Sequence, residues 1–245
     1  MVMENSFKKY LIKNNYEKFD IKAVLFDMDG ILYDSMKYHA KAWYETMSKN
    51  NLQSTPEEFY IHEGRTGGNT INLIIQRNLN REATEDEKKN IYKYKSDLFN
   101  KYNKNETIPH VYDVLKAVKE LGLNRVLVTG SGQKKLIDNL NVNFPDMFQQ
   151  DMMVTAYDVK YGKPHPEPYL MGLKKAGNLN PNQAIVIENA PMGVEAAVAA
   201  GIFTIAVNTG PLPNKMLIDA GADIVFPSMA ELLKYWDKHI KKLIY

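Results

Sequence analysis

The fold is decided by the stretch Ala23-Val24-Leu25-Phe26-Asp27-Met28-Asp29-Gly30, an apolar run that ends abruptly in two carboxylates and a glycine. Four apolar residues without polar alternation are typical of a strand that is buried on both faces, as in a parallel sheet. Comparable runs recur at residues 125–130, 184–189 and 203–208, and a shorter one at residues 222–226. The sequence therefore predicts several buried parallel strands, with polar side chains where the strands end.

Helical patterns separate these runs. They lie at residues 111–121, 133–140, 168–176 and 191–200, and glycines follow most of them, as is typical of helix ends. Such alternation of strands and helices predicts an α/β fold with a doubly wound parallel sheet.

One long segment interrupts the alternation. Between residues 36 and 107 no β-rich apolar run occurs, and helical patterns occupy residues 38–50, 56–62, 69–79 and 85–102. We interpret this segment as an α-helical cap inserted over the carboxyl edge of the sheet. The sequence thus divides into an N-terminal extension of residues 1–20, a cap of residues 36–107, and an α/β catalytic core of residues 21–35 and 108–245. In the extension, Phe7, Tyr10 and Leu11 have the spacing of a short amphipathic helix.

Composition excludes several classes of protein. The 245 residues carry 31 Lys and Arg against 29 Asp and Glu, and a net charge of +2 is too small to indicate a nucleic-acid or membrane-surface partner. The absence of cysteine excludes disulfides, thiolate metal sites and a catalytic thiol. The longest nearly apolar stretch, residues 196–207, is shorter than the ~20 residues of a membrane span, and no signal peptide is apparent. We therefore expect a cytoplasmic protein and favour a monomer.

Four polar clusters are the candidate functional residues: Asp27 with Asp29, Thr129-Gly130-Ser131-Gly132, Lys163-Pro164, and Glu188-Asn189. We expect each cluster to follow a strand, and ligands of open α/β sheets bind outside the carboxyl ends of the strands. Each cluster alone is more typical of a turn or a helix cap. A dinucleotide-binding fold would place Gly-x-Gly-x-x-Gly directly after the first strand, where Asp-Met-Asp-Gly stands. The convergence of all four clusters predicts one site at this edge of the sheet.

In this order the clusters resemble the four motifs of the haloacid dehalogenase superfamily of phosphotransferases. The first motif corresponds to residues 27–35, the second to 129–131, the third to 163–168 and the fourth to 188–193. The helical segment resembles the small α-helical cap of that superfamily, and within it the closest likeness is to the β-phosphoglucomutase-like subgroup. Residues 62–67 and 188–191 look like a branch of the subgroup that includes an inorganic pyrophosphatase. The resemblance implies a Rossmann-like core, a helical cap and phosphoryl-transfer chemistry.

Phosphoryl transfer explains why these residue types stand together. A carboxylate such as Asp27 can attack phosphorus and form an aspartyl-phosphate, which divides one difficult step into two easier ones. It can approach an anionic phosphate only if cations screen the repulsion, which requires Mg²⁺, an ion that prefers oxygen ligands. We expect Asp27, the backbone carbonyl of Asp29 and Asn189 to supply those ligands. Glu188 would be a direct ligand or would hold a metal-bound water, and Lys163 would add a second, fixed positive charge.

Two further roles fall to residues of the first two motifs. The Thr129 hydroxyl and the backbone N–H groups around Gly130 and Ser131 would hydrogen-bond the non-bridging oxygens of the phosphate. Asp29 would protonate the leaving oxygen and then activate the second nucleophile. Because a leaving halide needs no proton, Asp29 favours phosphoryl transfer over dehalogenation.

The resemblance also implies that residues of the cap select the substrate. His39 and Trp43 match family positions on the first cap helix, and Lys95 lines up with a cap lysine that meets the substrate phosphate. Gly67 stands where the family carries a cap arginine, and Arg65 lies two residues earlier. Core packing of Trp43 and a solvated position for Lys95 are the structural alternatives.

Glu63 and Asn189 bear on the identity of the substrate. A carboxylate at position 63 would repel an anionic substrate unless a further cation or a protonated leaving group met it. Asn189 stands where the family commonly carries Asp, and the less anionic metal cluster would tolerate a small, highly charged substrate. We therefore expect a Mg²⁺-dependent phosphohydrolase acting on a small phosphorylated molecule, with pyrophosphate as the leading candidate. The alternatives are a β-phosphoglucomutase or sugar-phosphate phosphatase, and a non-catalytic phosphate-binding module.

Overall fold

The computed structural model describes residues 4–131 and 138–243. Within these residues six strands form one sheet: β1 (Ala23–Phe26), β2 (Asn124–Val128), β3 (Met153–Val154), β4 (Ala184–Glu188), β5 (Phe203–Val207) and β6 (Ile224–Phe226). Every neighbouring pair is parallel, and the strand order is β3-β2-β1-β4-β5-β6. The predicted α/β class with a doubly wound parallel sheet is confirmed.

The centre of the sheet is β1, which pairs with β2 on one side and with β4 on the other. Its four residues are fully buried, and alternate side chains point to opposite faces. Val24 and Phe26 join the larger apolar cluster, whereas Ala23 and Leu25 join a second cluster on the other face. Burial on both faces is the reason that this strand is a continuous apolar run.

Helices flank the sheet on both faces. Outside the insertion they are α1 (Glu4–Lys13), α6 (Val111–Glu120), α7 (Leu140–Asn143), α8 (Glu167–Lys175), α9 (Pro191–Ala199), α10 (Asn214–Asp219) and α11 (Met229–Tyr235). A π-helical turn (Trp236–Ile240) and short 3₁₀ helices (Gln150–Met152, Pro181–Gln183, Lys241–Leu243) complete them. None of the described helices is long and apolar enough to cross a membrane.

Most predicted helices agree with observed ones to within two residues. The helix predicted at residues 133–140 lies largely outside the described residues. The strand β3 was not predicted, since two residues at the sheet edge carry too little pattern. The expectation that each polar cluster directly follows a strand is wrong for Lys163, which lies in the long connection between Val154 and Glu167.

The insertion after β1 consists of α2 (Met36–Lys49), α3 (Glu58–Ile61), α4 (Gly67–Leu79) and α5 (Glu85–Tyr102). It has its own apolar cluster, in which Trp43, Phe59 and Ile74 are buried. The chain enters and leaves it side by side, because Asp34 N donates to Glu106 O at 2.9 Å and Ile108 N donates to Leu32 O at 3.0 Å. We call α2–α5 and their connecting loops, residues 36–107, the cap.

The helix α1 packs on the core rather than standing apart from it. The Phe7 ring stacks on Phe203 of β5 at 4.8 Å between centroids, and the Tyr10 hydroxyl donates to Gly201 O at 2.7 Å. Both Phe7 and Tyr10 are buried in the larger apolar cluster. The amphipathic spacing therefore corresponds to an integral part of the fold.

Replacing Phe7 with alanine is expected to lower the free energy of unfolding by about 3–5 kcal/mol, the usual cost of emptying a buried aromatic site. Urea denaturation of the two proteins measures the difference. Ile12→Ala on the same helix is the control, because Ile12 is 81% exposed and its loss is expected to cost less than about 0.5 kcal/mol. Equal stability of Phe7→Ala and Ile12→Ala would contradict the packing role of α1.

Candidate active site

A cavity of about 60 Å³ lies between the carboxyl edge of the sheet and the cap. We call it the central cavity. Most of the residues that the sequence singles out line it: Asp27, Asp29, His39, Trp43, Glu63, Arg65, Lys95, Thr129, Gly130 and Ser131. The other three, Lys163, Glu188 and Asn189, are buried behind it in contact with those residues. The structure thus brings the predicted core and cap residues together at one place.

The base of the central cavity is a buried ion cluster around Lys163. Its ammonium lies 2.5 Å from Asp27 Oδ1 and 2.7 Å from Glu188 Oε1, and it also donates to Val128 O at 3.1 Å. Burial acts to lower the pKa of Lys163, but the two carboxylates outweigh it and raise the pKa, so the side chain stays protonated. A positive charge therefore lies beside Asp27.

Glu188 is held by four hydrogen bonds. Its Oε1 accepts from Lys163 and from the Tyr169 hydroxyl at 2.9 Å, and its Oε2 accepts from the backbone N–H groups of Asn189 and Ala190 at 2.8 and 3.0 Å. A carboxylate has about four lone-pair positions, so this pattern uses all of them. Both expected roles for Glu188, direct metal ligation and holding a metal-bound water, need one of these positions, so either role would displace one of the four donors.

Asp29 is tied to the cap through His39. Its Oδ1 accepts from the Ser35 hydroxyl at 2.5 Å and from His39 Nε2 at 3.1 Å. His39 Nδ1 lies 2.5 Å from the Lys95 ammonium, and because an ammonium can only donate, Nε2 must carry the ring proton. Burial acts to raise the pKa of Asp29, but His39 and the Ser35 hydrogen bond outweigh it, so the pKa is lowered and the carboxyl is ionised.

Lys95 is a buried cation rather than a solvated one. Its ammonium lies 5.0 Å from the Trp43 ring and 5.1 Å from the Phe99 ring, and only 2% of the residue is exposed. Burial lowers the pKa of Lys95 to about 7, and the charge of Asp29 opposes that shift only in part. Trp43 both packs against Phe59 in the cap cluster and lines the central cavity. A poorly solvated ammonium at this wall is suited to an anionic ligand.

Replacing Lys95 with methionine is expected to stabilise the ligand-free protein at pH 7 by roughly 1–4 kcal/mol, because a pKa lowered to about 7 means that the buried ammonium destabilises the folded state by about 1.4 kcal/mol for each unit by which the pKa falls. Between pH 7 and the ordinary lysine pKa, the unfolded chain binds a proton that the folded chain lacks, so wild-type stability rises with pH. The advantage of the variant should therefore shrink at pH 9. Urea denaturation at both pH values measures it.

The control for this prediction is Lys93→Met on the same helix, since the Lys93 side chain is 75% exposed and pairs only at the surface with Asp97. That variant is expected to change stability by less than about 0.5 kcal/mol at either pH. A Lys95→Met protein that is less stable than wild type at pH 7 would show that the buried Lys95 charge does not destabilise the folded state.

The cap approaches the core closely beside the second motif. A side chain at Gly130 would lie 2.3 Å from the Gly64 carbonyl oxygen of the cap, so only glycine fits there. Thr129 Oγ1 accepts from Ser131 N at 2.9 Å, which fixes the short loop that follows β2. Thr129 is buried, and Thr129, Gly130 and Ser131 line the central cavity.

Glu63 bridges the cap to the fourth motif. Both of its carboxylate oxygens accept from Asn189 Nδ2 at 3.1 Å, and the residue is buried. Burial raises the pKa of Glu63 well above its ordinary value, and the nearby charges of Asp27 and Glu188 raise it further. Gly30 (φ +85°) makes room for this contact, because a Cβ atom there would lie 2.1 Å from Asn189 Nδ2.

The oxygen atoms of Asp27 and Asn189 are donors that fit a magnesium ion. Because Nδ2 of Asn189 donates to Glu63, its Oδ1 is buried with no hydrogen-bond partner among the described residues. Burial and the charges of Glu188 and Asp29 raise the pKa of Asp27, although Lys163 opposes the shift. Asp27 and Glu188 share the single ammonium of Lys163, so the cluster has excess negative charge when both carboxyls are ionised. Oxygen donors with excess negative charge are what Mg²⁺ prefers. Residues 4–131 and 138–243 nowhere gather three His, Asp or Glu side chains around one point, so carboxylates alone do not define the site.

Gly67 stands where the family carries a cap arginine, and another residue occupies the space of that side chain. A Cβ atom at Gly67 would lie 2.2 Å from the Tyr92 ring, so Tyr92 occupies the space that a side chain at position 67 would need. Arg65 lines the central cavity, and its buried Nε has no hydrogen-bond partner in the described part of the chain. Tyr92 and His62 also line the cavity and were not predicted as site residues. Tyr92 belongs to no motif, whereas His62 begins the stretch 62–67 that carries the likeness to one branch of the subgroup.

Comparison with known proteins gives consistent likenesses. The sequence matches the model of the haloacid dehalogenase-like hydrolases over residues 24–207. A solved Bacteroides vulgatus protein with the provisional name β-phosphoglucomutase is 51% identical and superposes with a TM-score of 0.95, covering 99% of this chain and 98% of that chain. The phosphorylated carbohydrates phosphatase of Thermotoga maritima is 29% identical over 208 residues, 82% of this chain and 92% of that protein. The pyrophosphatase PpaX of Oceanobacillus iheyensis is 26% identical over 187 residues, 76% of this chain and 83% of that protein.

Proposed function

Because the chain belongs to the haloacid dehalogenase-like hydrolase family, we propose that it is a phosphohydrolase in which Asp27 is the nucleophile and pyrophosphate is the preferred substrate. The superfamily that the four motifs indicated, with its β-phosphoglucomutase-like subgroup, is confirmed, and so is the class of enzyme, a phosphatase or phosphotransferase. The choice of substrate, the magnesium ion and the roles of single residues are the parts that we propose.

The first half-reaction rests on Asp27 and its neighbours. Lys163 holds the Asp27 carboxylate in place, and a carboxylate oxygen attacks phosphorus while the bond to the leaving oxygen breaks. The Thr129 hydroxyl and the backbone N–H groups around Gly130 would donate to the non-bridging oxygens. Mg²⁺, held by Asp27, the Asp29 carbonyl and Asn189, would supply positive charge against the phosphate.

The second half-reaction, hydrolysis of the aspartyl-phosphate, needs a base. Asp29 has the position and the negative charge for that role. Its lowered pKa keeps it ionised, and its hydrogen bonds from Ser35 and His39 fix its orientation. Asp29 would take a proton from a water molecule as that water attacks the aspartyl-phosphate, which releases orthophosphate and restores Asp27. Of the two roles expected for Asp29, protonation of the leaving oxygen does not fit an ionised carboxyl, so we infer a leaving group that is stable as an anion. Orthophosphate meets that condition better than a sugar alkoxide.

The closed geometry of the cap is the observation that carries the choice of pyrophosphate. The central cavity has a volume of about 60 Å³, and Tyr92 fills the space beside Gly67 where a mutase would need an arginine for the distal phosphate of its sugar. Glu63, buried at the far wall, takes further room. Lys95 and Arg65 remain as cap cations for a leaving phosphate. A compact, cation-bearing cavity suits pyrophosphate because it requires no sugar pocket.

A β-phosphoglucomutase or sugar-phosphate phosphatase is the second candidate function. The Asp29–His39–Lys95 chain of contacts favours it, since it links the acid/base to a cap lysine that would bind a second phosphate. The relatives with phosphatase and mutase names are compatible with this candidate. A Mg²⁺-dependent panel of pyrophosphate, β-glucose 1-phosphate, fructose 1-phosphate and an aryl phosphate separates the two, when orthophosphate and glucose 6-phosphate are followed together. We expect the highest kcat/KM for pyrophosphate. Faster formation of glucose 6-phosphate than of orthophosphate would establish the mutase instead.

Replacing Glu63 with glutamine is expected to lower kcat/KM for pyrophosphate by at least about tenfold, which corresponds to the loss of one buried, charge-bearing contact. The same change is expected to alter hydrolysis of an organic monoester less, because the carboxylate lies where the small leaving group would sit. Initial rates with both substrates measure the ratio. Glu57→Gln, an exposed carboxylate nearby in the cap, is the matched control and should leave both rates unchanged. An equal loss for both substrates would assign Glu63 to the general stability of the site.

A further inference from the structure

A second and larger cavity lies on the opposite side of Glu63. It has a volume of about 200 Å³, and we call it the side cavity. Its walls come from the loop after β1, from the cap and from the loop after β5, and they include Gly30, Asp34, Tyr60, Asn189, Asn208 and Gly210. Glu63 and Met36 line both cavities, so these two side chains form the partition between them.

The donors proposed for the cation face the two cavities separately. Asp27 and Asp29 line the central cavity, whereas Asn189 contributes to the wall of the side cavity and not to that of the central one. The Oδ1 atom of Asn189 is buried without a hydrogen-bond partner among the described residues, and the residue is only 7% exposed. An unsatisfied buried oxygen of this kind is costly unless a cation or a water meets it.

The two cavities differ in the cationic side chains on their walls. The central cavity carries Arg65 and Lys95 on its cap wall, beside the carboxyls of Asp27 and Asp29, and these cations attract phosphate but repel a metal ion. Among the described residues that line the side cavity, the only lysine or arginine is Lys37, and its ammonium is paired with Asp34 at 2.5 Å and Glu106 at 2.7 Å. A cation in the side cavity therefore meets less repulsion from cationic side chains than a cation in the central cavity.

The size of the side cavity also suits a hydrated divalent cation. Mg²⁺ gives up its waters reluctantly and usually keeps several of them, so a path for it must be wide enough for a hydrated ion. A cavity of about 200 Å³ has room for several waters, whereas the central cavity, at about 60 Å³, has room for fewer and is narrowed where Gly64 of the cap approaches Gly130 of the core.

We propose that the side cavity is the route by which the divalent cation and its waters reach Asn189, separate from the central cavity through which the phosphate substrate enters. The proposal rests on the magnesium requirement of the proposed function, and it adds that the two ligands exchange independently. With the cap closed on the core and the central cavity filled, the cation would still exchange through the side cavity.

The test narrows the side cavity at Gly210. A Cβ atom there meets only the Tyr60 ring at 3.9 Å, and the backbone does not have a positive φ, so leucine fits and extends across the cavity. In Gly210→Leu we expect Mn²⁺, used as a probe of the magnesium site, to associate and dissociate at least about tenfold more slowly than in wild type. Both rates fall by the same factor, so the equilibrium Kd stays within about twofold. Stopped-flow quenching of tryptophan fluorescence and chelation by EDTA give the two rates.

Two further variants keep the test decisive. Gly68→Leu adds the same side chain outside both cavities, where a Cβ atom meets only Lys88 at 3.8 Å, and should leave the rates unchanged. Leu212→Ala widens the side cavity and should increase both rates, which also covers a failure of Gly210→Leu to fold. Unchanged Mn²⁺ rates in folded Gly210→Leu, or in Leu212→Ala, would overturn the route while leaving the proposed function intact. A wild-type protein that binds no Mn²⁺ or Mg²⁺ would instead overturn the magnesium requirement itself.

Discussion

Replacing Asp27 with asparagine is expected to reduce Mg²⁺-dependent release of orthophosphate by at least about 10³-fold, because an amide cannot form the covalent bond to phosphorus that the first step requires. The fold should survive the change. Asparagine has the shape of aspartate, and Lys163 keeps its contacts with Glu188 and with the Val128 carbonyl. Steady-state rates with pyrophosphate measure the loss, and far-ultraviolet circular dichroism with thermal melting verifies the fold.

The matched control is Asp86→Asn, an exposed carboxylate at the start of α5 that lies outside both cavities. It is expected to retain wild-type activity. A folded Asp27→Asn protein that releases orthophosphate at a near-normal rate would exclude an aspartyl-phosphate at position 27, and with it the mechanism proposed for this site.

Replacing Lys163 with methionine is expected to lower both stability and activity strongly. The lysine side chain is 0% exposed and lies against the buried carboxylates of Asp27 and Glu188, so its removal leaves two buried charges without their partner. Breaking a buried ion pair in this way costs about 3–5 kcal/mol. The free energy of unfolding, measured in urea with EDTA present, should fall by that amount at pH 7, and activity should fall with it.

Lys234→Met is the comparison, since Lys234 is 73% exposed and its pairing with Glu231 spans three residues of a surface helix. Its loss should cost no more than about 1 kcal/mol. If Mg²⁺ occupies the same cluster, its addition should restore part of the stability lost in Lys163→Met, because the ion replaces some of the missing positive charge. A Lys163→Met protein as stable as wild type without metal would contradict the charge balance described here.

The sequence determined the fold closely because its strands are buried on both faces. The run of residues 23–26 could be recognised without any partner strand, whereas the two residues of β3 at the sheet edge could not. The core of the site could be located in the same way, since Asp27 and Thr129 directly follow recognisable strands and Glu188 ends another. Lys163 follows no strand directly and was placed by the resemblance of its motif rather than by the strand pattern.

The cap residues could be assigned only in part. Tyr92 reaches the central cavity by lying over Gly67 on another helix, and no spacing within α5 reveals that contact. The fourfold hydrogen bonding of Glu188 depends on Tyr169, which is distant from it in sequence. The hydrogen bond between Glu63 and Asn189 also joins residues far apart in the chain. Such features arise from packing between segments, and sequence patterns report mainly on the local chain.

The most direct test of the account is whether Asp27 carries phosphate during turnover. Wild-type protein is mixed with ³²P-labelled pyrophosphate and Mg²⁺, quenched in acid within milliseconds, and treated with borohydride, which reduces an aspartyl-phosphate to homoserine. The Asp29→Asn variant is included because it should slow the water step and increase the labelled fraction. The account predicts labelled protein, and homoserine at position 27 in the mass spectrum. Release of orthophosphate with no label and no reduction at position 27 in either protein would contradict it.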